Sequence, residues 1–249
     1  MFEQYVEKPA RWLEADGAEA AVVVSSRVRL ARNIAGHQYP DRADSDVHCR
    51  VKEFIQEALN SSGLLDEGTL YESETVSELD RSFLIERHLV SPEFMRAKTN
   101  RAIYISKDES VSIMINEEDH LRIQSFRSGL EIKSAMENAE KIDSELGEKL
   151  EYDYTNDFGF LTSCPTNIGT GLRASALIHL PGLVLTNEID AVISQITKLG
   201  IAVRGFYGEG TDVLGNLFQI SNQTTLGRNE EDIIGSLEEV SRQLIGHED

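Results

Sequence analysis

Apolar residues recur along this chain with two periods. In 45–59, SDVHCRVKEFIQEAL, Val47, Val51, Phe54 and Ala58 fall on one helical face, Ser45 can cap the start and Gly63 follows the end. In 131–150, Ile132, Ala135, Met136, Ala139, Ile142 and Leu146 keep the same spacing. The segment 187–199 has Asn187 as an N-cap and Gly200 just past its end. In 229–245, Ile233, Ile234, Leu237, Val240 and Leu244 form a fourth stripe. Between these lie short runs rich in Val, Ile, Phe and Tyr: AVVVSSRVRL, RAIYIS, VSIMIN, LRIQSF, GFLTS, ALIHL, IAVRGFY and LFQISN. Several alternate in polarity, which predicts strands. Strand-like runs follow one another directly around 101–126 and 201–222. That favours an antiparallel β-sheet flanked by α-helices, an α+β class, over an alternating βαβ wind. No linker or repeat interrupts the pattern, so a single domain over 1–249 is expected.

Composition narrows the partners. A net charge of −19 argues against nucleic acid, whose phosphates need a basic surface, and suits either a basic polypeptide partner or simply a solvated acidic surface. The two cysteines, Cys49 and Cys164, make no disulfide framework, and the histidines do not pair at zinc spacing. The start, MFEQYVEKPARW, lacks a signal-peptide pattern, and no apolar run is long enough to span a bilayer; a cytoplasmic protein with no membrane partner is expected.

The stretch 161–180, LTSCPTNIGTGLRASALIHL, raises a question of chemistry. It has no lysine after its glycines, so it is not a P-loop. Cys164 and Arg173 are too far apart for a cysteine-phosphatase anion loop. Gly169, Gly171 and Ala174 fit GxGxxA, but Pro181-Gly182 would stop the helix that a dinucleotide site requires. Taken alone, the segment reads as a buried cysteine beside a turn.

Polar groups gather where the strand-like runs end. Arg27 and Arg29 stand two apart on one run and share a face. Glu117, Glu118 and Asp119 lie between two apolar runs, with Arg122 leaving the second; an acidic hairpin turn would look the same. Arg204 ends a run, and Glu209 stands between two glycines in what could also be a plain loop. If Arg27, Arg29, Arg122, Arg173 and Arg204 converge, their planar forks suit phosphate oxygens. Glu118 and Glu209 facing a cation would suit a guanidinium or ammonium group. Together these describe phosphoryl transfer onto a cationic nitrogen.

The motifs SSRVRLARN, IERHLVSP, NEEDHLRIQ, LTSCPTNIGTGLRASA, RGFYGEG and QISNQTTLG occur in this order, and the chain resembles the ATP:guanidino phosphotransferases, or phosphagen kinases, from about residue 20 to 246. Within that superfamily it is most similar to the bacterial protein-arginine kinases. The resemblance implies that Arg27, Arg29, Arg122, Arg173 and Arg204 hold the ATP phosphates. It implies a nucleotide site lined by Ser25, Ser26, Arg27, Val28 and Arg29, by His88, by Arg173, Ala174, Ser175, Ala176 and Leu177, and by Arg204, Gly205, Phe206, Tyr207, Gly208 and Glu209. It makes Glu118 and Glu209 the catalytic carboxylates, sets Cys164 beside the acceptor guanidinium, and brings Glu117 to Mg²⁺ through water. The implied activity is ATP-dependent phosphorylation of arginine side chains in proteins. A kinase of free arginine or another small guanidino compound, or a non-catalytic nucleotide- or arginine-binding module, are the alternatives.

The extent of the match leads to the expectation of a catalytic domain without the N-terminal helical domain of small-guanidino kinases and without the C-terminal phosphoarginine-sensing domain of protein-arginine kinases. An open site for protein substrates bearing accessible arginines is therefore expected. The resemblance also implies an activator protein and a protein-quality-control protease system as partners.

Overall fold

The computed structural model describes residues 8–96, 100–205 and 215–248, together with residue 6. In chain order the strands are Val23–Arg32 (β1), Gly68–Glu72 (β2), Ala102–Ser106 (β3), Val111–Ile115 (β4), Leu121–Ser128 (β5), Tyr154–Thr155 (β6), Gly159–Phe160 (β7), Leu172–His179 (β8), Ile201–Gly205 (β9) and Leu217–Asn222 (β10). The helices are Ser45–Ser61 (α1), Leu64–Glu67 (α2), Glu78–Glu86 (α3), Pro92–Arg96 (α4), Ile132–Gly147 (α5), Pro181–Leu185 (α6), Ile189–Lys198 (α7) and Glu230–Glu248 (α8). Among the described residues, eight strands form one sheet in the order β2-β3-β4-β5-β1-β8-β10-β9, with every pairing antiparallel. The expected α+β architecture is the one observed.

Alternation along the strands gives the sheet two chemically different faces. Val28 and Leu30 of β1, Ile123 of β5, Ala174 and Ala176 of β8 and Ile220 of β10 point to one side. There they meet Val51 and Ile55 of α1, the Ile132–Leu146 stripe of α5 and Ile233, Leu237 and Val240 of α8. On the other side, Ile103 and Ile105 of β3, Met114 of β4 and Phe126 of β5 are covered by Leu84 of α3, by Leu89 in the segment that follows it, and by Phe94 of α4. β3 and β4 are therefore buried throughout. The cover thins at β1: Leu177 of β8 still belongs to this second cluster, with Val24 and Leu217 packed against it, and beyond it the same face opens at Arg29, Arg173, Ser221 and Arg204.

Several local expectations need correction. Asp44, not Ser45, caps α1, its carboxylate accepting from the Val47 amide at 2.9 Å. Phe54 is 47% exposed, and Ile55 and Leu59 take the inward positions assigned to it, because the helix turns its apolar stripe by one residue toward the sheet. Asn187 does not cap α7; it adopts a positive φ of 62° and Glu188 precedes the helix without a side-chain cap. The GFLTS strand shrinks to β7, and β2, α3 and α4 are elements the periodicity did not announce. Residues after Gly169 and Gly171 form strand β8, so the GxGxxA helix is absent as expected.

Candidate active site

The strand register brings the predicted cations to the uncovered face. Arg29 of β1 lies directly opposite Arg173 of β8, and Ala31 opposite Arg122 of β5. Gln219 of β10 lies opposite Arg204 of β9, and its side-chain oxygen accepts from Arg27 Nη2 at 3.3 Å. Arg29, Arg122, Arg173 and Arg204 line a cleft of about 670 Å³. Arg27 opens instead into a small adjoining recess with Trp12, Ser25, His88, Ser175 and Leu177.

This cationic wall is under-compensated. Arg29 Nε is buried with no hydrogen-bond partner among the described residues. Burial, then the neighbouring Arg27, Arg122 and Arg173, push the Arg29 guanidinium well below its ordinary value. Burial and Arg122 bring Arg27 down to about 10. Burial and Arg204 lower Arg173. Arginine keeps its proton in proteins, so an anion among these groups would relieve the repulsion. Like charges placed directly across a strand pair destabilise the sheet, and a polyphosphate would reverse the sign of that term.

The opposite wall is acidic and nucleophilic. The turn joining β4 to β5 is closed by the Asn116 amide donating to the His120 carbonyl at 3.0 Å and the Glu117 amide to the Asp119 carbonyl at 3.1 Å. Asn116 takes the positive φ of 58° that this turn needs. Glu117 and Glu118 thereby face Arg122, which contacts Glu117 at 2.8 Å and Glu118 at 2.8 Å. Ser91 also donates to Glu117. Burial pushes the Glu118 carboxyl up; Arg122 opposes this, while Asp119 and Glu117 add to it. Cys164, half-buried, lines the same cleft, with its sulfur 3.0 Å from Thr166 Oγ1.

Polar contacts hold the loop that carries Cys164. Arg32 is buried, bonds Asp143 through Nε and Nη2, stacks 3.5 Å above the Phe160 ring and donates to the Thr170 carbonyl at 3.0 Å. Gly171 has a φ of 65°, and a Cβ there would lie 2.5 Å from Arg32 Nη1. The loop's glycines thus serve close backbone approach, which answers the question the segment raised.

Some of the predicted positions do not face this site. Ser26, Val28, Ala174 and Ala176 alternate onto the helix-covered side, and Val28, Ala174 and Ala176 belong to its apolar core. Gly205 is buried at the end of β9. Phe206, Tyr207, Gly208 and Glu209 lie outside the described residues. Sequence reasoning missed Trp12, whose ring meets His88 edge-on at 5.5 Å, and Asp41, Arg101 and Thr166, which line the cleft. None carries a periodic or spacing signal. His88 itself is held neutral, its pKa lowered to about 4 by burial and by Arg27.

An open antiparallel sheet whose arginine-rich face meets a glutamate- and cysteine-bearing wall can hold an anion beside a cation, and comparison with known proteins identifies the class of enzyme. The family model described as ATP:guanido phosphotransferase, C-terminal catalytic domain, matches residues 50–249. The protein-arginine kinase of Pelotomaculum thermopropionicum is 45% identical over 242 residues, covering 96% of this chain and 68% of that protein. That of Desulforamulus reducens is 46% identical over 242 residues, with the same coverage of 96% and 68%. Among solved structures, a lombricine kinase superposes with a TM-score of 0.83 at 28% identity, covering 97% of this chain and 71% of that one. A duplicated taurocyamine kinase from Schistosoma mansoni, with bound transition state analog components, gives 0.82 at 27% identity, covering 91% of this chain and 33% of that one. The chain belongs to the ATP:guanido phosphotransferase family, and it is a kinase that uses ATP to phosphorylate a guanidino nitrogen. The matched span begins inside α1; β1, which carries Arg27 and Arg29, is covered by the curated relatives. No helix among the described residues is long and apolar enough to cross a membrane.

Proposed function

We propose that the acceptor is the guanidinium of arginine side chains in proteins, as the names of the relatives at 45–46% identity suggest, and that one catalytic domain performs the transfer. The observation that carries this reading is a single cleft with two walls: Arg29 and Arg173 opposed on one, Glu118 and Cys164 on the other. Arg29, Arg122, Arg173 and Arg204 bind the phosphates of ATP, with Arg27 at the junction to the recess. Ser25, Ser175, Leu177 and His88 line the space for the nucleoside. Glu118, with Glu209 as the resemblance assigns it, grips the acceptor N–H groups and aligns one terminal nitrogen with the γ-phosphorus.

A guanidinium is a weak nucleophile because its lone pairs are delocalised and it is protonated at neutral pH. A carboxylate whose proton affinity is raised suits removal of that proton as bonding develops. A P–N bond forms, the bond from the γ-phosphorus to the bridging oxygen breaks, and ADP departs with the electron pair. The arginines stabilise charge on the phosphoryl oxygens in transit. Cys164 acts by position beside the acceptor; no covalent intermediate is needed.

Among the described residues no three His, Cys, Asp or Glu side chains converge on a metal position. Mg²⁺ would be held chiefly by substrate phosphates and water. Glu117 lines the cleft, where it already accepts from Ser91, Arg122 and the Glu118 amide, and its carboxylate would reach the ion only through water. Bound there, Mg²⁺ would neutralise phosphate charge.

The test is ³¹P NMR of the protein with Mg-ATP and either a basic unfolded protein or free L-arginine. An acid-labile P–N signal on the polypeptide supports the reading; signal on free arginine alone transfers the protein to the small-guanidino kinases. Glu118→Gln should lower kcat by roughly 10²–10⁴-fold, the range of general-base catalysis, with ATP affinity within a few-fold of wild type. Loss of ATP binding in the folded variant would contradict the role.

A further inference from the structure

The acceptor wall is assembled from two segments that share no regular structure: the β4–β5 turn with Glu118 and the loop from β7 to β8 with Cys164. Their spacing across the acceptor depends on what joins them, and one residue does so at two points. Ser163, adjacent to Cys164 in the chain, donates its amide to Asp119 Oδ1 at 2.7 Å. Its hydroxyl donates to the backbone carbonyl of Glu118 itself at 2.7 Å. Asp119 Oδ1 is anchored in turn by Asn33 Nδ2 at 2.7 Å, just past the end of β1. Asn33 reaches both segments, accepting from the His120 amide at 2.9 Å and donating to the Leu161 carbonyl at 3.2 Å.

The two Ser163 bonds have separable duties. The amide bond, with Asn33, already ties the loop to the turn and survives any side-chain change at Ser163. The hydroxyl bond is an extra constraint, applied to the peptide unit that carries one proposed catalytic group by the residue next to another. Asp119 is 1% exposed and its Oδ2 is buried without a partner among the described residues. A carboxylate held so is costly to leave half-satisfied, so the clamp is no incidental surface contact.

We infer that Ser163 is a positioning residue for the acceptor: its hydroxyl fixes the separation between the Glu118 carboxylate and the Cys164 sulfur, the gap in which the guanidinium is held. The inference rests on the functional reading above. Small misplacements of reacting groups are expensive; about 1 Å can cost 10²-fold in rate.

Steady-state kinetics of Ser163→Ala and Ser163→Thr, with an arginine-bearing unfolded protein as acceptor and with L-arginine in parallel, test it. For Ser163→Ala, kcat/KM for the acceptor should fall about 10- to 100-fold, while ATP affinity measured by calorimetry stays within about twofold. Ser163→Thr, which keeps a hydroxyl, should recover most of the loss. Combined with Cys164→Ala, the losses should be less than multiplicative, because both act on one geometry. Wild-type acceptor kinetics in Ser163→Ala, equal losses for ATP and acceptor, or fully multiplicative losses in the double variant would each overturn the inference while leaving the functional reading intact. A wild-type protein inactive on both acceptors defeats the functional reading, and this inference with it.

Discussion

One face of the sheet is used in two opposite ways. Over β3, β4 and the far half of β5 it carries Ile103, Ile105, Met114 and Phe126 and is sealed by Leu84 and Phe94. Over β1, β8, β10 and β9 it carries Arg29, Arg173, Gln219, Ser221 and Arg204 and is left open. Strand alternation is the same in both halves; only the side chains presented differ. The sealed half stabilises the fold, at about 1.5–3 kcal/mol for each large apolar side chain removed from water. The open half does the reverse, setting like charges side by side. On the proposed function, the sealed half supplies packing while the open half keeps like charges together for an anion.

The comparison breaks most sharply at Phe94, 0% exposed at the centre of the seal. Phe94→Ala should cost about 3–5 kcal/mol in urea unfolding, with ATP affinity of the folded fraction little changed. A cost below about 1 kcal/mol would mean that the seal is not where the stability lies.

The open half should respond in the opposite sense. Arg29→Met keeps the length of the side chain and removes its charge. ATP binding should weaken by roughly a hundredfold, the scale of losing a buried charge-assisted anchor. The nucleotide-free protein should become more stable, by about 1 kcal/mol, as buried charges replaced by apolar groups often allow. A variant that binds ATP normally, or that is destabilised like a core mutant, would erase the distinction between the halves.

The smallest effect lies at the border, where His88 meets Arg27. Arg27→Gln should raise the His88 pKa from about 4 toward its ordinary value, though not fully, since burial is the larger cause. The sign for stability follows. Folding holds the imidazole neutral, so the unfolded chain binds the proton first. The contribution of His88 is whole above about pH 6.5 and is lost as pH falls toward 4. The variant should lose less over that window. A histidine titration followed by NMR, together with unfolding midpoints at pH 7 and 5, would show both shifts; an unmoved pKa would remove Arg27 as a cause.

What could be read from the sequence divides along similar lines. The arginines of β1, β5 and β8 were legible because strands alternate: Arg27 and Arg29, two apart, had to share a face. α5 and α8 were legible from their stripes. The seal was not, because α3 and α4 are short and bury few residues each, Leu84 in one and Phe94 and Met95 in the other, too few to set a period. Nor was the joint between Asn33, Asp119 and Ser163, whose polar members sit in turns and follow no spacing rule. The motif segments 25–29 and 173–177 mix two faces. Val28, Ala174 and Ala176 came with the motif, yet alternation turns their side chains into the core, as it must when every second residue faces away.

That alternation has a consequence for folding errors. β1 is the central strand, with Arg27 and Arg29 on one side and Val28 and Leu30 on the other. A slip of one residue in its pairing would drive two guanidinium groups beneath α5 and expose two core residues to water. The two arginines proposed to meet phosphate therefore also act as proofreaders, penalising the wrong alignment of the strand on which the rest of the sheet is built.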